Sequence, residues 1–273
     1  MPLTLVPTPI GNLEDITLRA LRVLRSADLI ACEDTRTSSI LLRHYRIAAP
    51  LVPFHLHNEK ACLPRLMAAL REGKHVAVIS DAGTPGVSDP GWILLRSAVD
   101  EGIEADVLPG PSALLPALLL SGLTPHPFLF FGFPPEKPGG RADLFRSLSG
   151  VPWTLCFYVS PHKAKRQIAE MIEAWGDRRA ALVREISKVY QESIRDVLSG
   201  LLARLEQGVK GEMVLVVEGH VPGQQDDGAW KDEADVMRAQ GATMRSVVEG
   251  IVARYPVAKN AVKAYLLRGK ERE

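Results

Sequence analysis

Cysteine is scarce in this 273-residue chain. Three scattered thiols, Cys32, Cys62 and Cys156, form no C-x-x-C pair. That argues against a disulfide framework or a zinc site and fits a reducing cytoplasm. No G-x-G-x-x-G opens a helix and no G-x-x-x-x-G-K-[ST] occurs, so the usual dinucleotide and phosphate loops are excluded. The longest apolar run, 113–120, contains Pro116. It falls far short of the ~20 residues of a membrane span, and no membrane partner is expected. A basic start followed by an apolar stretch is also lacking, so no signal peptide is expected. His55 and His57 flank Leu56 and could chelate a metal. Neither a carboxylate nor a third histidine stands at a useful spacing, so the expectation is no metal. Net charge is close to absent, at +1, and selects no partner by itself.

What is present points to a soluble globular protein, with 46% hydrophobic and 24% charged residues. Its organising stretch is KHVAVISDAGTPGVSDPGW, 74–92. The run from Val76 to Ile79 reads as a strand buried on both faces. A long loop of small residues follows, carrying Asp81 and Asp89, and Trp92 opens an apolar helix. Such a loop at the C-terminal end of a buried strand is where open α/β sheets bind ligands. Strand-to-helix connections usually take about two to six residues, so twelve small residues imply a ligand site.

Apolar runs at 3–6, 29–32, 51–54 and 105–108 predict further strands, alternating with helices at 16–25, 38–45, 60–72, 92–99 and 112–120. Asp15 is the expected cap of the first helix. Residues 122–127 read as a linker. Beyond it the pattern becomes α+β, with strands at 128–132, 154–159, 180–185 and 213–217 and helices at 163–175 and 198–206. FPPEKPGGR, 133–141, reads as a mobile basic loop. Residues 186–192 read as a connection, and 221–228 as a polar linker.

The expected organisation is therefore two α/β domains, 1–122 and 123–220, followed by a linker and helical tail, 221–273. Residues 236–272 hold eight basic and two acidic residues. Thr243 caps one amphipathic segment and Gly269 closes another, which predicts a helix-turn-helix-like pair. Its cations suit nucleic-acid contact.

The motifs PTPIGNLEDITLRAL (7–21), ACEDTR (31–36), SDAGTPGVSDPG (80–91), LPGPSA (108–113), FYVSPHK (157–163) and KGEMVLVVEG (210–219) together carry a resemblance. The chain resembles the tetrapyrrole-methylase-fold (class III) S-adenosylmethionine-dependent methyltransferases, and within them the branch that modifies 16S ribosomal RNA. The resemblance implies two facing α/β domains, S-adenosylmethionine in the cleft between them, and a homodimer. It also implies a substrate, the ribose 2'-hydroxyl of a decoding-centre cytidine in the small ribosomal subunit. By position, Ile10, Gly83, Thr84, Val87, Ser112 and Ala113 would contact the methionine moiety and ribose of the cofactor. Val159, Ile186 and Met213 would contact its adenine.

Asp34, Glu185 and Lys188 end strands expected to face the cleft, and are the candidates for assisting proton removal. Arg36 and Arg184 would orient phosphate or one of those carboxylates. Arg36, Lys137, Arg141, Arg254, Lys259, Lys263 and Arg268 are the candidate RNA contacts. Tetrapyrrole-modifying relatives carry a G-x-G-P-G-D type first loop, whereas PTPIGN has fewer glycines and no final carboxylate. That departure favours RNA over a tetrapyrrole substrate. A tetrapyrrole methylase and a non-catalytic S-adenosylmethionine-binding regulator with an RNA-binding tail are the competing readings.

Overall fold

The computed structural model describes residues 2–206, 208–221, 229–255 and 259–268. Five strands, β1 (Leu3–Leu5), β2 (Leu29–Cys32), β3 (Leu51–Pro53), β4 (Val76–Ile79) and β5 (Ala105–Val107), form a parallel sheet in the order β3-β2-β4-β1-β5. Helices α1 (Leu18–Ser26), α2 (Thr35–His44), α3 (Glu59–Arg71) and α4 (Trp92–Asp100) connect them. Alternation along β4 explains why its sequence is apolar throughout. Val76 and Val78 join Leu66, Leu70 and Leu94 in one core, whereas Ala77 and Ile79 join Leu21, Leu24 and Leu42 in the other. Thr17 caps α1, accepting the Ala20 amide at 3.0 Å. Asp15 instead ends a short 3-10 turn capped by Asn12, which corrects the expected cap by two residues.

Strand order positions the site. Because β4, β1 and β5 are neighbours, the loops that follow them, 80–91, 7–12 and 108–113, emerge side by side at one sheet edge. β2 lies on the other side of β4 and brings Glu33 and Asp34 to the same edge.

The second sheet contains β6 (Phe128–Phe130), β7 (Thr154–Val159), β8 (Arg179–Arg184), β9 (Glu192–Val197) and β10 (Met213–Val217), in the order β6-β7-β10-β8-β9. Only β6 and β7 run parallel. One face packs on α6 (Pro138–Leu148), α7 (Pro161–Trp175) and α8 (Leu198–Glu206) around Phe145, Phe157, Trp175 and Leu201. The other face receives α5 (Leu114–Ser121) through Ala117 and Leu118. Thus α5 precedes the linker in sequence yet packs on the second sheet.

Three expectations change here. β9 begins at the last residue of the expected connection 186–192 and runs through 193–197, where no strand is expected, paired antiparallel along all six residues of β8. Residues 138–141 are not a loop, because Pro138 starts α6 with its ring at a position that needs no amide donor. The tail contains α9 (Ala229–Ala239) as well as α10 (Met244–Arg254) and α11 (Lys259–Arg268). Trp230 and Ala234 of α9 pack with Val247, Val248, Ile251, Val262 and Leu266, so three helices and not two share a core. Thr243 caps α10 as expected, accepting the Ser246 amide at 3.2 Å. Gly269 lies outside the described residues.

Candidate active site

The three loops of the first sheet are tied into one wall. Thr8 and Gly83 exchange both backbone hydrogen bonds at 2.9 Å, joining the loops after β1 and β4. The Thr84 hydroxyl donates to the Pro111 carbonyl at 3.3 Å, joining the loop after β5. Gly83 has φ +80°, a backbone conformation that side-chain-bearing residues rarely adopt. The far end of the 80–91 loop is anchored by buried Glu59, which accepts the Gly91 amide at 2.9 Å.

Opposite this wall, the end of β8 turns through Glu185 and Ser187, both at positive φ without being glycine. Such strain persists only where the surroundings hold it, and it clusters at functional sites. Here the Lys188 ammonium lies 3.0 Å from Glu185 and 2.9 Å from Glu212, and Glu185 also accepts the Glu212 amide at 2.9 Å. Burial works against charge on Glu185, but that amide and Lys188 outweigh it and hold the carboxyl below its ordinary range. Burial likewise opposes charge on Lys188, and the two glutamates more than compensate. This turn reaches the first half of the chain as well. The Ser187 hydroxyl donates to Asp15, and a Cβ on Gly11 would come within 2.3 Å of Lys188 Cγ. The glycine of PTPIGN is therefore the space in which Lys188 lies.

A cavity of about 710 Å³ lies between the two walls. Ile10, Gly83, Thr84, Val87, Ser112 and Ala113 line it from the first sheet, and Val159, Ile186 and Met213 line it from the second. Glu185 and Lys188 line it too. Asp34 is not among the lining residues. It caps α2, accepting the Arg36 amide at 2.8 Å, and pairs with the Arg36 guanidinium at 2.7 Å. Those bonds pull its carboxyl down to about 2. Arg36 is engaged in that pair, its side chain 89% exposed. Arg184 holds the sheet edge, donating to Glu192 at 2.7 Å and to the Lys210 carbonyl at 3.1 Å.

Among the candidate RNA contacts, Lys137, Lys259 and Lys263 are exposed. Arg254 pairs with Glu233 and closes α10 onto α9. The side chain of Arg268 lies outside the described residues. Arg141 departs most from expectation, since its side chain is fully buried. It pairs with Glu170 and donates to the carbonyls of Pro135 and Glu136, both at 2.9 Å, so it fastens α6 to α7 and presents nothing to RNA.

Motif spacing passes over several cavity residues. Ser160 looks like a helix cap, yet its hydroxyl makes no capping bond and is buried without a partner among the described residues. Tyr158 and Phe133 line the cavity with ring centroids 5.5 Å apart. Glu33 and Asp89 line it as well. Asp89 is visible in the sequence as a carboxylate among small residues, but its surroundings are not. Burial, reinforced by Glu33 and Asp81, pushes its carboxyl up to about 6. Burial also raises Glu33, Asp81 and Tyr158. Among the described residues, no group of three or more His, Cys, Asp or Glu could hold a metal ion. No described helix is long and apolar enough to cross a membrane.

Residues 2–202 match the family model described as Tetrapyrrole (Corrin/Porphyrin) Methylases. The chain is 42% identical over 274 residues to Ribosomal RNA small subunit methyltransferase I of Mesorhizobium japonicum, covering 99% of this chain and 88% of that protein. Proteins of the same name from Escherichia coli O157:H7 and Streptococcus pyogenes serotype M3 are 43% and 44% identical, over 82% and 80% of this chain and 80% and 76% of theirs. Among solved structures, the methyltransferase CobJ aligns with a TM-score of 0.62 at 21% identity, covering 80% of this chain and 93% of that one. Uroporphyrin-III-C-methyltransferase from Thermus thermophilus aligns at 0.59 and 23%, over 79% and 93%. At those identities the structural likeness speaks for the fold.

Proposed function

This chain belongs to the tetrapyrrole (corrin/porphyrin) methylase family and is a methyltransferase, and on that premise we propose that it methylates the ribose 2'-hydroxyl of a decoding-centre cytidine in 16S ribosomal RNA. The donor in this reading is S-adenosylmethionine, the acceptor RNA sits in the small ribosomal subunit, and the reaction takes place in the cytoplasm. The observation that carries the reading is identity above 40% to three proteins named as small-subunit ribosomal RNA methyltransferases, in one case along 99% of the chain.

The cavity suits the donor. Its volume falls in the range of ligand pockets, roughly 300–1,000 Å³. The orphaned Ser160 hydroxyl offers a hydrogen bond to a polar group of the ligand. Val159, Ile186 and Met213 offer an apolar wall to adenine, and the tied loops at Gly83, Thr84 and Ser112 would hold the amino-acid end and ribose. When bound, S-adenosylmethionine supplies a methyl group activated by its sulfonium. The protein's part is to align the acceptor oxygen with that methyl, exclude water and receive a proton. The Glu185–Lys188–Glu212 clasp fixes the second wall for this alignment. Asp34 is poorly suited to proton removal, since a carboxyl held near 2 is a weak base.

Exposed Lys137, Lys259 and Lys263, with Arg36, Arg254 and Arg268, are the proposed RNA contacts; Arg141 is not. We further propose units at 1–122, 123–220 and 221–273, and a homodimer, which sedimentation at micromolar concentration would test against a monomer. The decisive experiment transfers labelled methyl from S-adenosylmethionine to purified small subunits, then digests the RNA to nucleosides for mass spectrometry. Labelled 2'-O-methylcytidine is expected. A methylated base, or no transfer, refutes the reading.

A further inference from the structure

Five carboxylates line the cavity: Glu33, Asp81, Asp89, Glu185 and Glu212. Four of them are engaged. Glu185 and Glu212 hold Lys188, Asp81 accepts the Asp34 amide at 3.1 Å, and Glu33 is hydrogen-bonded by the backbone of Asp81. Asp89 alone receives no hydrogen bond and no ion pair from any described residue. It is nonetheless only partly exposed, and its loop is pinned beside it by the Gly91 amide on Glu59. An unpaired carboxylate in such a place is unfavourable for folding, and function is the usual reason one is kept.

The surroundings of Asp89 define what it could do. Glu33 faces it from the loop after β2, Asp81 from the start of its own loop, and Tyr158 from β7. Lys188, the one cation lining the cavity among the described residues, is held by two glutamates. No positive group therefore offsets Asp89, and its affinity for a proton is high for an aspartate. A carboxylate that titrates near 6 is ionised at neutral pH and still takes a proton readily, which is the compromise a general base requires. The mouth beside it is apolar. Phe133 and Val87 line the cavity while remaining 60% and 66% exposed. Exposed rings of this kind stack bases of unpaired nucleotides.

We infer that Asp89 is the proton acceptor for the hydroxyl that receives the methyl group, with the acceptor nucleotide entering past Phe133 and Val87. The inference rests on the ribose-methylation reading for the nature of that hydroxyl. A lone pair of the hydroxyl oxygen forms the bond to the methyl carbon, and the carbon–sulfur bond breaks with its electron pair staying on sulfur. The O–H bond breaks with its pair returning to oxygen, and the proton passes to a carboxylate oxygen of Asp89. One positive and one negative charge disappear together, which a partly buried site favours over water.

Two measurements on the full chain test this. First, carboxyl carbon NMR of the ligand-free protein follows the titration of Asp89, assigned by the signal missing in Asp89→Asn. A midpoint near 6 is expected, and Glu33→Gln should move it downward. A midpoint below 4.5 overturns the inference. Second, single-turnover methyl transfer to small subunits is measured from pH 5 to 8. Wild-type rates should rise about tenfold per pH unit below 6 and then level. Asp89→Asn should be slower by roughly 10²–10⁴-fold and should lose that rise, while donor affinity by calorimetry stays within about threefold. Asp89→Ser provides a second variant if the amide misfolds. Wild-type rate or profile in a folded variant overturns the inference alone. Absence of ribose methylation by the wild type overturns the functional reading, and the inference with it.

Discussion

Replacing Asp89 with asparagine should make the ligand-free protein more stable at neutral pH, although the variant loses a group from the cavity. The ordinary aspartate value is 3.8, and in the fold burial with Glu33 and Asp81 pushes it up to about 6. Between those values the folded chain binds more protons than the unfolded chain, so stability falls as pH rises across the window. Above about pH 6 the loss is complete. Each tenfold in proton affinity corresponds to about 1.4 kcal/mol, so the ionised carboxylate destabilises the fold by at most about 3 kcal/mol. Residual solvation reduces that figure. Asparagine has nearly the same shape and no charge, and it relieves the repulsion from its two acidic neighbours. At this chain length a kcal/mol corresponds to roughly 2–4 °C in Tm. Thermal melts of both proteins from pH 4 to 8 read the effect. The variant should melt several degrees above wild type at pH 7.5, and the two curves should converge toward pH 4. A variant that melts at or below wild type at pH 7.5, or a gap independent of pH, would refute the electrostatic account of this site.

Other perturbations address the remaining walls. Gly83→Val places a β-branched residue at φ +80°, a strain of at least about 1–2 kcal/mol, and distorts the loop against Ile10 and Pro111. Calorimetry should show donor affinity reduced at least about tenfold, and unchanged affinity in a folded variant would remove the loop from the site. Arg141→Ala leaves Glu170 and two carbonyls without their donor and should cost about 3 kcal/mol, read as a lower urea midpoint. RNA affinity lost at a temperature where this variant is folded would restore Arg141 as a contact. Truncation after residue 223 should spare donor binding and weaken subunit binding. It should also flatten the salt dependence by roughly 0.7–0.9 of a log unit for every phosphate the tail would otherwise neutralise, whereas an unchanged slope would make the tail a structural support.

The parallel sheet was legible because its inner strands are buried on both faces. LIAC and VAVI are apolar without alternation, and flanking small residues announce the loops. The elements that escaped are those whose existence depends on partners distant in sequence. β9 has the sequence ESIRDV, with charges at three of six positions, and is a strand because β8 offers it an open edge. Helix α9 is rich in acids, and its Trp230 and Ala234 gain a core only from α10 and α11. Arg141 sits in a Pro/Gly-rich segment that suggests an exposed loop, and Glu170, twenty-nine residues on, draws it inside. At the site, motif spacing gathered the loops and positions that line the cavity. It could not distinguish Asp34, engaged by its own helix, from Asp89, left without a partner, because that difference lies in the neighbours.

The cavity has one wall from each of the two sheets, and each sheet carries hydrophobic clusters of its own. A half-folded molecule, with one sheet formed and the other open, presents half a site and gains little from ligand. Saturation therefore stabilises the fully formed state selectively, by about 2.7 kcal/mol at a hundredfold excess over Kd. It raises the cooperativity between the two halves. Amide exchange in β4 and in β10 should slow together when donor is added, and slowing confined to one sheet would contradict this. If the donor binds in this cavity as proposed, the small molecule consumed in the reaction would also act as a fastener, and depletion of donor would expose the enzyme to partial opening and to proteolysis.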